Sequence, residues 1–238
     1  MKSDCHIINI NNEIRKLMNK KQLEEFKNNF PATPGILGRD KYFNSAILIP
    51  LVFKNGEYYL LFQKRSAHIR QGGDICFPGG GFEEEHDRTF LDTALRETYE
   101  EIGIKPKDVN IIGQLDTMVA PIGAVIEIYV GIIENEVIQA DLKLNEEVEK
   151  IVLVPISELK NDPAQEYTLH QVVQPSYIDK QGKEHIIFPA KELGLAERYH
   201  KPWGHKNHKV WVYKACGEVI WGVTAVIIND LLKKYELS

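Results

Sequence analysis

Three glutamates, Glu97, Glu100 and Glu101, stand at i, i+3 and i+4 in the segment ALRETYEEIGI. A helix with this spacing stacks all three carboxylates on one face, over a single turn. Like charges so arranged repel, and a positive partner is expected among them. Oxygen ligands on a rigid element suit a hard divalent cation, Mg²⁺ or Mn²⁺, which combines a few carboxylates with water and phosphate oxygens. The ordinary alternative for such a run is a solvated charged face. Here a glycine-rich loop, Pro78-Gly79-Gly80-Gly81, precedes the carboxylates, which is more than a surface helix needs.

Lys64, Arg65, His68 and Arg70 lie just ahead of those glycines. Cations beside a carboxylate-held metal are what a polyphosphate requires, because guanidinium forks take the oxygens that the metal leaves. Surface charge on a connecting loop is the competing reading.

These groups need a framework. The carboxylates call for a helix ending at Ile102, with Leu91, Ala94, Leu95, Thr98 and Ile102 as its core-facing stripe and Gly103 as its cap. Residues 45–53 form a near-continuous apolar run, as a buried strand does, and Asn55-Gly56 turns it into a returning strand over 57–64. Further strands are expected over 109–115, 125–133 and 151–154, with a short helix opening at Pro155. A hairpin around Asp179–Gly182 is expected to pair residues from Tyr167 onward with those before Phe188. The histidines His200, His205 and His208 read as a loop and not as a zinc site, since their spacing fits no familiar ligand pattern. A strand over 209–213 and a helix over 222–235 close the chain, with Trp221 in the core. An amphipathic helix over 12–30 opens it, ended by Pro31, Pro34 and Gly35. The expected organisation is an N-terminal helix and linker over 1–44 and a main domain over 45–238, enlarged at about 160–210. Periodicity alone supports a mixed α/β class.

A net charge of −5 excludes the basic footprint of a nucleic-acid or membrane-surface partner. No apolar run reaches the length of a membrane span. The opening MKSDCHIINI lacks the basic and apolar regions of a signal peptide. Cys5, Cys76 and Cys216 are too few and too scattered for a disulfide framework, so a cytoplasmic location is expected.

The segment 77–104 resembles the signature of the Nudix hydrolases: glycines, a loop, Arg-Glu, two residues, Glu-Glu, one residue, glycine and an aliphatic. Gly80, Arg96, Glu97, Glu100, Glu101, Gly103 and Ile104 fall on it. The resemblance implies an α/β/α sandwich with a mixed sheet. It also implies a metal held by Glu97, Glu100, Glu101 and the Gly80 carbonyl, with Arg96 orienting the glutamates. A later glutamate reaches the metal or the attacking water in many members; Glu147 fits by its position, with Glu146 beside it. The general base is either Glu147 or one of the helix glutamates.

A narrower similarity is to the coenzyme A pyrophosphatases. It rests on Leu60, Leu61, Arg65, Ser66, Arg70, Gly73, Phe77, Pro78, Gly79 and Gly80, on residues 113–131, and on residues 220–225. It implies hydrolysis of coenzyme A or acyl-coenzyme A to phosphopantetheine and adenosine 3′,5′-bisphosphate, with Arg65, Ser66 and Arg70 toward the substrate. The alternatives are a pyrophosphatase of ADP-ribose, sugar nucleotides or other nucleotides, and a Nudix-like regulator that binds nucleotide without turnover. The expected partner is a small-molecule nucleotide, and a homodimer is one of the oligomeric states left open.

Overall fold

The computed structural model describes residues 19–140 and 142–236, with the side chains of His205 and Glu236 excepted. Contacts divide the chain between Arg39 and Asp40 into two units. In the first, helix α1 (Lys20–Lys27) begins at a reciprocal cap. The Asn19 side chain accepts from the Gln22 amide at 2.9 Å, and the Gln22 side chain accepts from the Asn19 amide at 3.0 Å. Of the helix expected over 12–30, residues 12–18 lie outside the described residues.

The second unit starts with strands β1 (Phe43–Lys54), β2 (Glu57–Arg65), β3 (Ile75–Cys76) and β4 (Gly79–Gly81), followed by helix α2 (Phe90–Ile102). Next come β5 (Asn110–Gln114), β6 (Met118–Ala120), β7 (Ala124–Ile133), the short helix α3 (Asn135–Gln139), β8 (Val148–Pro155) and the short helix α4 (Ile156–Asn161). The chain ends with β9 (Gln165–Val173), β10 (Ser176–Ile178), β11 (Glu184–Ile186), β12 (Trp203–Ala215), β13 (Glu218–Trp221) and helix α5 (Gly222–Glu236).

Strands β1 to β8 form one mixed sheet along the path β3-β2-β1-β7-β5, with β4 beside β1, β6 beside β7 and β8 beside β2. Strands β1 and β7 run parallel from Phe43↔Ala124 to Val52↔Ile133. Parallel neighbours need a long crossover, and here that crossover carries α2. The hairpin at Asn55 and Gly56 forms as expected, both residues taking left-handed φ angles of 54° and 88°.

Strand β1 is apolar from Ala46 to Val52 because both of its faces are covered there. Ala46 and Leu48 pack with Ala94 of α2, and Val52 with Ile102 at its end. Ile47, Ile49 and Leu51 point the other way, into a cluster with Phe62 of β2, Ile128 of β7 and Ile227, Ile228 and Leu232 of α5. One helix therefore lies on each face of the sheet, which is the expected sandwich. No helix among the described residues is long and apolar enough to cross a membrane.

The region after Asn161 departs from the sequence expectation. Strand β9 does not fold back through the Asp179 turn. It pairs instead with β12, from Val212↔Gln165 to Trp203↔Val173, in a three-stranded sheet with β13. The turn survives as the small hairpin β10–β11, where Asp179 Oδ1 accepts from the Gln181 and Lys183 amides. Strong turn chemistry at Asp179 marks a local reversal, but the longer ladder satisfies more of the β9 backbone. Residues 203–208, expected as loop, belong to β12, whose register shifts between Trp203 and Lys206, beside Gly204 at φ 90°. Trp221 is 47% exposed and not core; its indole N–H donates to Asp74 Oδ1 at 3.1 Å.

Phe62 is fully buried and its ring stacks on Phe77 with centroids 4.6 Å apart. Phe62→Ala is expected to lower the unfolding free energy by about 3–5 kcal/mol through the cavity it leaves, measured by equilibrium denaturation.

Candidate active site

Strands β1 and β2 pair only from Leu51↔Leu60 to Lys54↔Glu57. Beyond that point they separate, and residues 75–81 pass between them: β3 pairs with Gln63 and Lys64, and β4 with Ser45 to Ile47. The candidate site is built at this open end. Gly79 has φ 152°, and a Cβ there would run into the Ala46 carbonyl oxygen. At Gly80 a Cβ would run into the Glu97 carboxylate. The glycines thus let bare backbone lie directly against the glutamates of α2.

Helix α2 is fixed at both ends. Thr89 and Asp92 form a reciprocal cap at its start, and Gly103, at φ 78°, donates its amide to the Tyr99 carbonyl at 2.9 Å. Along its length Arg96 uses all five of its N–H groups. Nε and Nη2 donate to the two oxygens of Asp87, each at 2.9 Å, and Nη2 also to the Gly81 carbonyl at 3.0 Å. Nη1 donates to Glu97 at 2.9 Å and to Glu100 at 3.1 Å. The positive group expected among the carboxylates is therefore, first of all, this guanidinium.

Asp87 is the member of this network that sequence reasoning missed. It is buried, and it also accepts from the Glu83 amide and the Thr93 hydroxyl. The Arg96 hydrogen bonds, working against burial, hold its carboxyl down to about 2. The available signal was an aspartate closing the acidic run nine residues before an arginine.

The three glutamates share a face but not an environment. Glu100 is exposed, Glu97 is half-buried, and Glu101 is only 4% exposed. Burial raises the Glu97 carboxyl above its ordinary range against the opposing pull of Arg96. Burial also pushes Glu101 up to about 7, although the Gly79 amide donates to its Oε2 at 2.9 Å and the Gln63 side chain bonds to it. The core-facing stripe accordingly includes Glu101, with Thr93, Ala94, Thr98 and Ile102, while Leu91 and Leu95 are half-buried.

Among the described residues, no three His, Cys, Asp or Glu side chains stand together as a ready metal-binding group. Glu97 and Glu100 are drawn onto Arg96, and Glu101 onto the Gly79 amide. The donor set nevertheless fits a hard divalent cation. It is all oxygen, the side-chain-free Gly80 leaves the backbone open beside Glu97, and two carboxylates sit where burial penalises their charge and one cation serves two of the three.

Arg65 is brought to the same end of the sheet. Its Nη2 lies 3.8 Å from Glu147 Oε2, and its charge acts on Glu101. The loop carrying Glu147 is tied on both sides: the Asn145 amide donates to the Glu101 carbonyl at 3.0 Å, and the Glu147 carbonyl accepts from the Ser66 amide at 2.8 Å. Glu147, Arg65 and Glu101 are thus gathered from three separate elements. Ser66 takes part through its backbone. Arg70 is exposed, and its carbonyl accepts from Arg65 Nε at 3.2 Å. Cys76 lies beside Arg65, Gln63 and Glu101, and burial raises its thiol to about 11. Two more polar residues went unpredicted. Gln63 is 1% exposed, and its Oε1 has no hydrogen-bond partner. Glu127, buried in β7 beside Ala46, accepts from Gln114 at 2.9 Å and Thr117 at 2.8 Å. A single acid inside the apolar run VIEIYVGII was its signal.

A sequence model of the NUDIX domain matches residues 42–173, more than half of the chain. The chain belongs to the Nudix hydrolase family. It is similar to Nudix hydrolase 3 of Caenorhabditis elegans, at 33% identity over 92% of this chain and 86% of that protein. It is also similar to the peroxisomal coenzyme A diphosphatase NUDT7 of Mus musculus, at 32% identity over 60% of this chain and 56% of that protein. Among solved structures, the MutT/nudix family protein of Enterococcus faecalis aligns with a TM-score of 0.47 at 14% identity, over 93% of this chain and 71% of that one. As a Nudix hydrolase the protein is a pyrophosphohydrolase, and the family generally requires a divalent metal ion.

Glu101 yields a pH-dependent test. Its folded-state value of about 7 exceeds the ordinary 4.5, so between these the folded protein holds a proton that the unfolded chain has released. The burial cost is therefore absent below pH 4.5 and complete above about pH 7, where it amounts to about 3 kcal/mol. Metal-free Glu101→Gln is expected to unfold at higher denaturant than the parent at pH 8 and at a similar concentration at pH 4.5. Gly80→Ala tests the packing of strand on carboxylate. Displacing the flexible end of Glu97 should leave the melting temperature within a few degrees while weakening Mn²⁺ binding at least tenfold by calorimetric titration.

Proposed function

We propose that this Nudix hydrolase cleaves the pyrophosphate bond of coenzyme A or an acyl derivative, giving phosphopantetheine and adenosine 3′,5′-bisphosphate. The observation that carries the reaction type is the carboxylate face of α2, held against bare glycine backbone by the Arg96–Asp87 pair. Glu97, Glu100, Glu101 and the Gly80 carbonyl would hold Mg²⁺ or Mn²⁺, which when bound neutralises phosphate charge and polarises water for attack at phosphorus. Arg96 sets the depth and direction of the glutamates and spends no donor on substrate. The carboxylate of Glu147, or one on the helix, accepts the proton of the attacking water. Arg65 steadies Glu147 from 3.8 Å and offers its remaining N–H groups to phosphate oxygens.

Two things support the substrate. The chain is similar to a protein named as a coenzyme A diphosphatase. In addition, Arg65 Nε donates to the Arg70 carbonyl, which brings the Arg70 backbone into the same turn as Arg65. Coenzyme A carries a 3′-phosphate that ADP-ribose lacks, and charge-assisted hydrogen bonds to it contribute about 1.5–3 kcal/mol, or one to two decades in efficiency.

The test compares kcat/KM on coenzyme A, its 3′-dephosphorylated form and ADP-ribose at one ionic strength. The expected order places coenzyme A about tenfold to a hundredfold ahead of the other two, with that margin lost in Arg70→Ala. Glu101→Gln should lower turnover on every substrate by orders of magnitude. A preference for ADP-ribose, or an unchanged margin in Arg70→Ala, would move the assignment to sugar nucleotides.

A further inference from the structure

The last strand of the NUDIX match and the residues beyond it build a second feature. Strands β9 and β12 and helix α5 close over the sheet face opposite α2 and leave a cleft of about 570 Å³. That size is typical of small-molecule sites. Its lining is mostly apolar, with Ile47 and Ile126 from the sheet, Val210 from β12, and Val223, Val226 and Ile227 from α5, and it also carries Asp74, His170, His208 and Lys209. Val210, Val223, Val226 and Ile227 lie after residue 173, where the family match ends, and Ile47 and Ile126 lie within the match.

The cleft communicates with the candidate active site through shared residues. Arg65 and Cys76 line it, and both interact electrostatically with Glu101. Ser45 and Ile47 line it as well, and they are the β1 partners of Gly81 and Gly79. At the open end of the sheet, one short stretch of backbone thus bears the carboxylate site on one side and the apolar cleft on the other. Leu169, 53% exposed, and Ile122, 70% exposed, stand in its lining as apolar surface that a ligand would cover.

We propose that this cleft binds an aliphatic arm carried by the diphosphate substrate, so that β9, β12 and α5, closing over the sheet, select acylated over free substrate. The inference rests on the coenzyme A reading for its choice of substrate. The occupant follows from the apolar part of the lining on the sheet and α5, with the guanidinium of Arg65 among the polar groups where the cleft meets the phosphate-handling residues. At Ile126, Val226 and Ile227 the polar edges of a nucleobase or sugar would go unpaired, so the aliphatic arm is placed against these residues.

The experiment is a chain-length series of acyl-coenzyme A substrates on the intact protein, from acetyl upward, in the parent and two variants. Val226→Phe narrows the cleft from α5. Leu169→Glu places a charge in it from β9, at a position exposed enough to leave folding alone. In the parent, KM is expected to fall about threefold to fourfold for each added methylene until the cleft is full. Both variants should flatten that series. A flat series in the parent, or variants that slow free and acylated substrate by one common factor, would overturn the proposal. Fluorescence of 1-anilinonaphthalene-8-sulfonate on the metal-free protein separates this outcome from failure of the coenzyme A reading. If coenzyme A esters are not turned over, probe binding that both variants abolish still establishes an apolar-ligand cleft, and absence of probe binding to the parent overturns it.

Discussion

One guanidinium holds the site together. Arg96 bridges the loop that follows the glycines, through Asp87 and the Gly81 carbonyl, to the carboxylates of its own helix, through Glu97 and Glu100. Arginine is suited to this because its five donors lie in a rigid plane and its charge persists at any working pH. A lysine could satisfy one or two of these acceptors but could not span them. Buried Asp87 matters as much, since without it the guanidinium would lose its two-pronged anchor and be free to swing toward Glu97 and Glu100 alone. The depth at which α2 presents its acids to strand β4 follows from this pair.

The same arrangement carries an electrostatic cost. Glu101 is buried and Glu97 half-buried, and both have raised carboxyl pKa values. Without a cation the protein holds these charges in an unfavourable place. The flanking structure tolerates it because α2 is capped at both ends and packed through Ala94 and Ile102 onto two parts of the apolar sheet. A fully solvated glutamate triad would be easier to fold but would sit in water, where metal and phosphate oxygens compete poorly with solvent. Stability is surrendered locally to keep two of the three acids out of bulk water.

The sheet divides the chemistry in two. Alternation along β1 sends Ala46 and Leu48 toward the carboxylate helix and Ile47 and Ile49 toward the opposite core. Strand β4 repeats this without side chains. The inserted segment 75–81 therefore borders a carboxylate face and an apolar cleft with a single layer of backbone. The long β9–β12 ladder then walls the cleft at no expense to the core.

What the residues alone determined was local. The i, i+3, i+4 glutamates, the Asn55-Gly56 turn, the Gly103 cap and the apolar run of β1 each depend on interactions within a few positions, and each took the form expected. The family motif belongs with them, because its chemistry is packed into one loop and one helix. Tertiary structure decided everything that pairs distant segments. It buried Glu101 while leaving Glu100 exposed, since depth depends on what packs against the helix and not on spacing along it. It tied Arg96 to Asp87, and it brought Glu147 to Arg65 through a register shift between β2 and β8. It gave β9 to β12 and not to the nearer hairpin, because ladder length outweighs proximity in the chain. It also turned Trp221 outward to Asp74, since an indole N–H seeks an acceptor and the core beneath was already filled by Ile220.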